Sequence, residues 1–333
     1  MQRFGDAVQL PGCTHKLGYL QTSTGNTALD SLLGGSLPNT ALCVVDELLT
    51  RCYGTVLLRY FASEGAHNGH DLLICGPEAR ELLQNLPTRI QSTDEGKSLP
   101  NSGPKEEDLK IAWRYQTLQE KSSNLGQTKL RYDLGNNLEE PTRFGSKIDV
   151  LENDSYETLL GALMERLKSS DYNKNEKSPK KRLLRIVIRG LGSPLWTDHK
   201  FLPRFLCELR LACRNAYAVV MCTIDTTSFQ EALTHRIETL ADALFRLKPI
   251  EEKERKALGI GDKAHGYFQI IQLPRITSAA PFKPESVDLT FELHRKSFDI
   301  TVIHLPPAFG DDSTTKESIP AGKFTCSSGL SAF

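Results

Sequence analysis

Residues 41–55, ALCVVDELLTRCYGT, begin as an apolar run and end as a polar turn. The apolar part, residues 41–45, is typical of a parallel strand that is covered on both faces. A helix is predicted over residues 56–65, because apolar side chains recur there at spacings of three and four, and Gly65 is its predicted stop. A second buried strand is predicted over residues 71–76. This strand–helix–strand unit indicates an α/β fold.

The rest of the chain continues the alternation of helices and strands. After a helix capped by Asp154, we predict a strand at 183–188, a helix at 201–213, a strand at 218–224 and a helix with a capping box of Ser228 and Glu231. Four later segments, 243–247, 266–273, 289–293 and 300–305, read as strands with no long helix between the final pairs. We therefore expect a mostly parallel sheet flanked by helices, with antiparallel C-terminal edge strands.

The stretch from about 86 to 150 is dominated by Ser, Asn, Gly, Lys and Glu. Such a composition buries too little apolar area to offset the entropy lost on ordering. We predict a long polar insertion, anchored by residues 111–115, within a single domain that spans residues 1–306. Residues 307–333 are predicted to form a disordered tail.

Composition restricts the class of protein and its partners. The 333 residues carry 41 basic and 41 acidic side chains, so a nucleic acid would have to meet a local patch rather than the field of the whole molecule. Eight cysteines are scattered without a CxxC pair, which favours reduced thiols and no metal site. Neither a signal peptide nor a long apolar run is visible. We expect a cytoplasmic protein that is compatible with a nuclear pool and has no membrane partner.

The turn at 46–55 stands where a P-loop NTPase carries GxxxxGK[ST], whose backbone N–H groups and lysine hold phosphate. Gly54 and Thr55 are remnants of that motif, but no lysine lies between them. Loss of this charge-assisted contact is worth about 1.5–3 kcal/mol. Asp46 and Glu47 would repel a phosphate, and Arg51 is the only residue in the turn that could replace the lysine. The turn is therefore interpreted as a degenerate nucleotide loop.

A magnesium-binding carboxylate is missing as well, since the strand at 184–188 runs into Arg-Gly-Leu-Gly at 189–192. The histidines are dispersed, and no nucleophile is paired with a base, so no catalytic residue is assigned. These two defects in one site favour a protein that keeps the nucleotide-binding fold but has lost ATP hydrolysis. The alternative is an unrelated α/β domain that never bound nucleotide.

Two features could contact RNA. In the first, the loop GSPLW at 192–196 is followed by cations, so a base could stack on an aromatic ring while phosphate is neutralised; its candidate residues are Trp196, His199, Lys200 and Arg204. The second is a basic run, Lys174, Lys177, Lys180, Lys181, Arg182 and Arg185. Trp196 could equally be a packed core anchor, and the basic run a solvated hinge.

Residues 24–38, TGNTALDSLLGGSLP, resemble the approach to the first strand in RecA-type ATPases. The lysine-free acidic loop that follows, with LRYFASEG at 58–65 and NGH at 68–70, resembles the PAXNEB family, the fourth subunits of the Elongator complex. Arg114-Tyr115, the loop at 192–196 and the strand at 242–247 fit the same family. The likeness covers most of residues 15–306.

This resemblance implies a RecA-like, P-loop NTPase-type core that joins the fifth and sixth Elongator subunits in a hetero-hexameric ring with two copies of each. Such a ring binds tRNA and attaches to the larger catalytic subunits, which begin the 5-carboxymethyl-type modification of wobble uridines. By analogy, the loop at 196–204 and Thr226, Thr227 and Ser228 would face the ring centre. The family likeness implies no cofactor for this chain alone, and any ATP would sit at ring interfaces.

Three functions stay open at this point. The first is a non-catalytic, RNA-binding ring subunit. The second is an active RecA-like ATPase or a DNA-binding recombinase relative, which would need Arg51 or a lysine from a neighbouring subunit to hold phosphate, and a magnesium-binding carboxylate that the strand at 184–188 lacks. The third is a structural scaffold that does not touch nucleic acid.

Overall fold

The computed structural model describes residues 8–16, 18–48, 50, 53–90, 131–178, 180–258, 260–275 and 282–303. The strands are β1 (Cys13–Lys16), β2 (Tyr19–Thr22), β3 (Leu37–Pro38), β4 (Leu42–Asp46), β5 (Asp71–Cys75), β6 (Pro87–Arg89), β7 (Tyr132–Asn137), β8 (Ile148–Leu151), β9 (Leu184–Leu191), β10 (Ala218–Ile224), β11 (Ala243–Pro249), β12 (Gly266–Gln272), β13 (Leu289–Leu293) and β14 (Phe298–Val302). The helices are α1 (Thr27–Leu32), α2 (Tyr53–His67), α3 (Ala79–Gln84), α4 (Tyr156–Leu167), α5 (Leu202–Arg214), α6 (Glu231–Leu240) and α7 (Glu252–Leu258).

Nine strands form the main sheet, in the order β14-β13-β12-β11-β4-β10-β9-β5-β8. The six strands from β11 to β8 are parallel to one another. The strands β11 to β14 are joined by antiparallel pairings. This confirms the predicted α/β fold, RecA-like with a mostly parallel sheet and antiparallel C-terminal edge strands.

Helices cover both faces of this sheet, because successive side chains of a strand point to opposite sides. On β4, Cys43 and Val45 pack into the cluster that contains the apolar side chains of α1 and α2. Leu42 and Val44 pack into the cluster beneath α4, α5 and α6. Every residue of β4 and β10 is buried, which is why both strands were readable as continuous apolar runs.

Three predicted helix boundaries were wrong. Helix α2 passes through Gly65 and ends at His67. Gly65 serves packing instead, since a Cβ there would lie 2.6 Å from the Arg185 side chain. The N-cap of α4 is Ser155 rather than Asp154, and α6 follows Gln230 without a side-chain cap, so the predicted capping box is absent.

Three strands that were not predicted from the sequence lie inside the predicted polar insertion. β6 and β7 pair with each other, and β8 joins the main sheet beside β5. These strands are short and carry polar residues, so their periodicity was too weak to read. The anchoring segment at 111–115 and the tail at 307–333 lie outside the described residues, and the assignment of one domain over residues 1–306 stays a prediction.

Candidate functional site

The turns that follow β4, β10 and β9 lie side by side at the carboxyl ends of these strands, because the three strands are parallel neighbours in the sheet. In open α/β sheets, ligands bind outside the carboxyl ends of such strands. The degenerate nucleotide loop therefore lies beside the loops at 192–201 and 225–230.

Asp46 ends β4 and is completely buried. Its carboxylate accepts a bond from Thr226 Oγ1 at 2.7 Å and another from the Thr226 N–H at 3.2 Å. Arg246 of β11 donates from Nε at 2.8 Å and also reaches Glu238 at 2.7 Å. Asp46 thus ties together three elements, and Arg246 compensates the charge that was expected to repel phosphate.

Glu47 points its carboxyl group at the first turn of α2. A Cβ added to Gly54 would lie 2.6 Å from Glu47 Oε1, so the two residues are in close contact. Burial raises the pKa of Glu47 to about 7, although the N–H groups of Gly54 and Thr55 oppose the rise. Arg189 also opposes it, whereas Asp225 favours it. Near neutral pH this carboxyl is therefore close to half-protonated.

The end of β9 carries a cation where a magnesium-binding carboxylate was sought. Arg189 pairs with Glu78 at 2.8 Å and with Glu81 at 3.3 Å. A cavity of about 460 Å³ lies alongside, and its lining includes Thr55, Arg59 and Arg189. Arg51, the predicted substitute for the missing lysine, lies outside the described residues.

Trp196 is a core residue, with only 2% of its surface exposed. Its indole stacks on the Tyr156 ring, with centroids 4.7 Å apart and planes 8° apart. The Tyr156 hydroxyl accepts a bond from the Gly192 N–H at 2.9 Å, which holds the loop on α4. The prediction that an RNA base stacks on Trp196 is wrong for this arrangement, because the ring is covered. The exposed apolar side chain of the loop is Leu195.

The three remaining residues of the first RNA feature differ in exposure. His199 is half-buried, and its ring lies 6.3 Å from Tyr156 and 6.5 Å from Phe229. Lys200 and Arg204 are exposed. Arg204 lies over the Phe201 ring at 5.1 Å and bonds Glu208 at 2.6 Å. The loop and the first turn of α5 therefore each present one cation to solvent.

The second RNA feature is mostly structural. Lys181 donates from Nζ to the carbonyls of Ser170, Asn173 and Glu176. Arg182 bonds the buried Asp71 at 2.6 Å. Lys180 is exposed, as are Lys174 and Lys177.

Arg185, also assigned to the basic run, is 0% exposed, so the reading of this part of the run as a solvated hinge is wrong. The other residues of the run, 174–182, precede β9, whereas the loop at 192–204 follows it, and an eight-residue strand spans roughly 25 Å. The two RNA features therefore do not form one patch.

Comparison with known proteins identifies the family. The family model described as PAXNEB protein matches residues 6–330. The chain belongs to the PAXNEB family. It is 31% identical to Elongator complex protein 4 of Xenopus laevis, over 98% of this chain and 90% of the relative. It is also 31% identical to the Mus musculus protein of that name, over 95% and 84%, and 22% identical to the Saccharomyces cerevisiae one, over 89% and 76%.

Several residues that shape the site of this PAXNEB chain were missed from sequence. Arg246 pairs with Asp46, Arg189 faces Glu47, and Thr223 Oγ1 accepts a bond from the Gly190 N–H at 2.8 Å. A charged residue inside an apolar strand was the available signal for Arg246, since such a charge must be paired.

Two kinds of feature do not occur among the described residues of the PAXNEB chain, a membrane-spanning helix and a metal-binding cluster. None of the helices given above is both long and apolar enough to cross a bilayer. The same residues contain no group of three or more His, Cys, Asp or Glu that could hold a metal ion. The family resemblance placed Thr226, Thr227 and Ser228 at the ring centre. Thr226 is buried against Asp46, whereas Thr227 and Ser228 are exposed.

Proposed function

We propose that this PAXNEB chain is a non-catalytic, RecA-like subunit of an Elongator complex. The observation that carries the proposal is a nucleotide loop without its lysine, in which the chain's own Glu47 lies against the first turn of α2. Arg189 stands near the site where hydrolysis would need a carboxylate for magnesium. The relatives' printed name supports membership in an Elongator complex.

The proposed partners are the fifth and sixth Elongator subunits, which form a hetero-hexameric ring with this chain. The ring binds tRNA, attaches to the larger catalytic subunits and supports wobble-uridine modification of the 5-carboxymethyl type. The chain itself holds no cofactor, and ATP, if used, binds at ring interfaces. The proposed location is the cytoplasm, compatible with a nuclear pool.

Assembly is the first test. The chain is co-expressed with its two proposed partner subunits, and mass by light scattering is measured together with tRNA affinity. We expect a discrete hexamer that binds tRNA only when all three subunits are present. A stable monomer that binds neither partner subunit would refute the proposal. If the purified chain alone hydrolysed ATP, and Thr55→Ala abolished the activity, the ATPase or recombinase alternative would replace it.

Lys200, in the loop after β9, and Arg204, in the first turn of α5, are exposed cations, and we propose that they contact the tRNA backbone. The double variant Lys200→Glu, Arg204→Glu should weaken tRNA binding by the complete ring about ten- to a hundredfold. It should also lower the slope of log affinity against log salt by about two, one for each lost phosphate contact.

The matched control is Lys253→Glu, Lys256→Glu, which makes the same charge change at two exposed positions of α7. We expect it to change the affinity much less and to leave the salt slope in place. If the loop variant and the control behaved alike, the scaffold alternative would be preferred, since the loop would have no direct contact with nucleic acid.

A further inference from the structure

The first turn of α2 has the geometry of an anion cradle. Tyr53, Gly54 and Thr55 are the first described residues of α2, and the N–H groups of Gly54 and Thr55 lie close enough to the Glu47 carboxyl to lower its pKa. Helix starts of this kind bind phosphate in nucleotide loops, because the exposed N–H groups and the helix dipole both favour negative charge. Here the group that faces Gly54 and Thr55 belongs to the chain itself.

The Glu47 side chain fills the space beside Gly54. A Cβ at Gly54 would lie 2.6 Å from Glu47 Oε1 and 2.8 Å from Glu47 Cγ. Thr223 Cγ2 closes the other side at 2.9 Å. Any side chain at position 54 would therefore meet both Glu47 and Thr223.

The backbone of Glu47 is held in place at the start of the loop. Its N–H bonds the Ile224 carbonyl at 2.7 Å, and its carbonyl accepts from the Thr50 N–H at 2.6 Å. Glu47 Oε1 is buried and has no hydrogen-bond partner among the described residues. The N–H groups of Gly54 and Thr55 therefore act on the carboxyl as nearby dipoles rather than as direct donors to that oxygen.

The charges around the cradle also disfavour an outside anion. Asp225 lies close enough to Glu47 to raise its pKa. Two arginines of this region are already paired, Arg246 with Asp46 and Glu238, and Arg189 with Glu78 and Glu81. A nucleotide phosphate that entered here would meet the carboxyl groups of Glu47 and Asp225.

We propose that Glu47 is an internal plug, whose carboxyl group takes the place of a nucleotide phosphate in the cradle of α2 and keeps nucleotides out of it. The plug deepens the proposed non-catalytic role and in that respect rests on it. A filled cradle excludes phosphate even when a neighbouring subunit supplies a cation, so the plug blocks nucleotide binding independently of the missing lysine.

A double-mutant cycle tests the contact that defines the plug. Gly54→Ala should raise the equilibrium constant for unfolding of the full chain by roughly ten- to a hundredfold, because the new methyl group collides with Glu47. In a Glu47→Ala background, the factor by which Gly54→Ala raises the unfolding constant should be about ten times smaller. Thr223 remains close, so the rescue is partial.

Gly161→Ala is the matched control for this cycle. Gly161 lies in α4, and an added Cβ would meet nothing within 4 Å. Alanine there should lower the unfolding constant by about two- to fivefold, in both backgrounds, because alanine is the better helix former. An equal cost of Gly54→Ala with and without Glu47 would overturn the plug.

Phosphate binding tests the plug even if the Gly54 variant does not fold. The midpoint of thermal unfolding is followed against inorganic phosphate, at constant ionic strength, for the wild-type chain, Glu47→Ala and Glu47→Gln. We expect a saturable rise only in Glu47→Ala, with phosphate affinity roughly tenfold above wild type, while glutamine keeps the cradle filled.

A wild-type chain that binds phosphate as tightly as Glu47→Ala would refute the plug, and so would a Glu47→Ala chain that gains nothing. Neither measurement depends on ring assembly or tRNA. A negative result here therefore leaves the proposed function standing, and a failure to form the ring leaves the plug standing.

Discussion

Replacing Arg185 with methionine is expected to lower the free energy of unfolding by about 3–5 kcal/mol. The guanidinium is completely buried in β9. It donates to His70 Nδ1 at 3.0 Å, to the carbonyls of Ser23 at 3.0 Å and Phe61 at 2.9 Å, and to Thr22 Oγ1 at 2.6 Å. Methionine preserves much of the volume but leaves all four acceptors without their donor.

Arg185 also sets the charge state of its neighbours. Burial and, after it, the charge of Arg185 lower the pKa of His70 to about 3, so the ring is neutral. A neutral His70 can accept from Arg185 at Nδ1 and donate from Nε2 to the Pro11 carbonyl at 2.6 Å. Burial raises the pKa of Glu64, but Arg185, Tyr132 and Arg131 outweigh it and hold that pKa below its usual value. Losing Arg185 would therefore disturb a buried network as well as single bonds.

The measurement is the denaturant midpoint, with the slope of the transition checked for change. Arg80→Met is the matched control, because Arg80 is exposed and its ion pair with Glu152 lies at the surface. It should change the stability by less than about 1 kcal/mol. Arg185→Lys should fall between the two, since an ammonium cannot reach four spread acceptors. Equal effects of Arg185→Met and Arg80→Met would show that the guanidinium does not hold the N-terminal segment to the core.

Replacing Trp196 with alanine is expected to lower the free energy of unfolding by about 3–5 kcal/mol. The indole is covered by Tyr156, and Phe205 lies 5.5 Å from the same tyrosine ring, so alanine would leave a cavity between α4 and the loop after β9. Trp196 Nε1 has no hydrogen-bond partner among the described residues. Trp196→Phe keeps the stacking and removes that donor, so it should cost less than about 1.5 kcal/mol.

Leu195→Ala is the control for Trp196, because the neighbouring side chain is 58% exposed. We expect it to change stability by less than about 0.5 kcal/mol. Chemical unfolding measures stability, and tRNA binding by the assembled ring below the unfolding midpoint measures recognition. If Trp196→Phe reduced tRNA affinity while leaving stability almost unchanged, the indole would contact RNA after a rearrangement, and its assignment to the core would be wrong.

Much of the fold could be predicted from sequence, and the reason is visible in particular strands. β10 was predicted over residues 218–224 and is observed as Ala218–Ile224, because every one of its side chains is buried and none carries a charge. The buried stripe of α5 was also predicted, and Phe205, Leu206, Leu209 and Cys213 lie in the core. β8 was missed because its four residues are only half-buried at the edge of the sheet.

The sequence by itself determined the α/β class, the antiparallel strands at the C-terminal end of the sheet and the absence of the loop lysine. These features depend on local periodicity and on which residues are present. The tertiary structure alone decided the roles of Arg185, Trp196 and Glu47. Arg185 contacts Thr22, which lies 163 residues away, so its burial is invisible in the surrounding run of basic residues. Trp196 and Glu47 likewise take their roles from Tyr156 and Gly54, because the cost of burying an aromatic ring or a carboxyl depends on what fills the space around it.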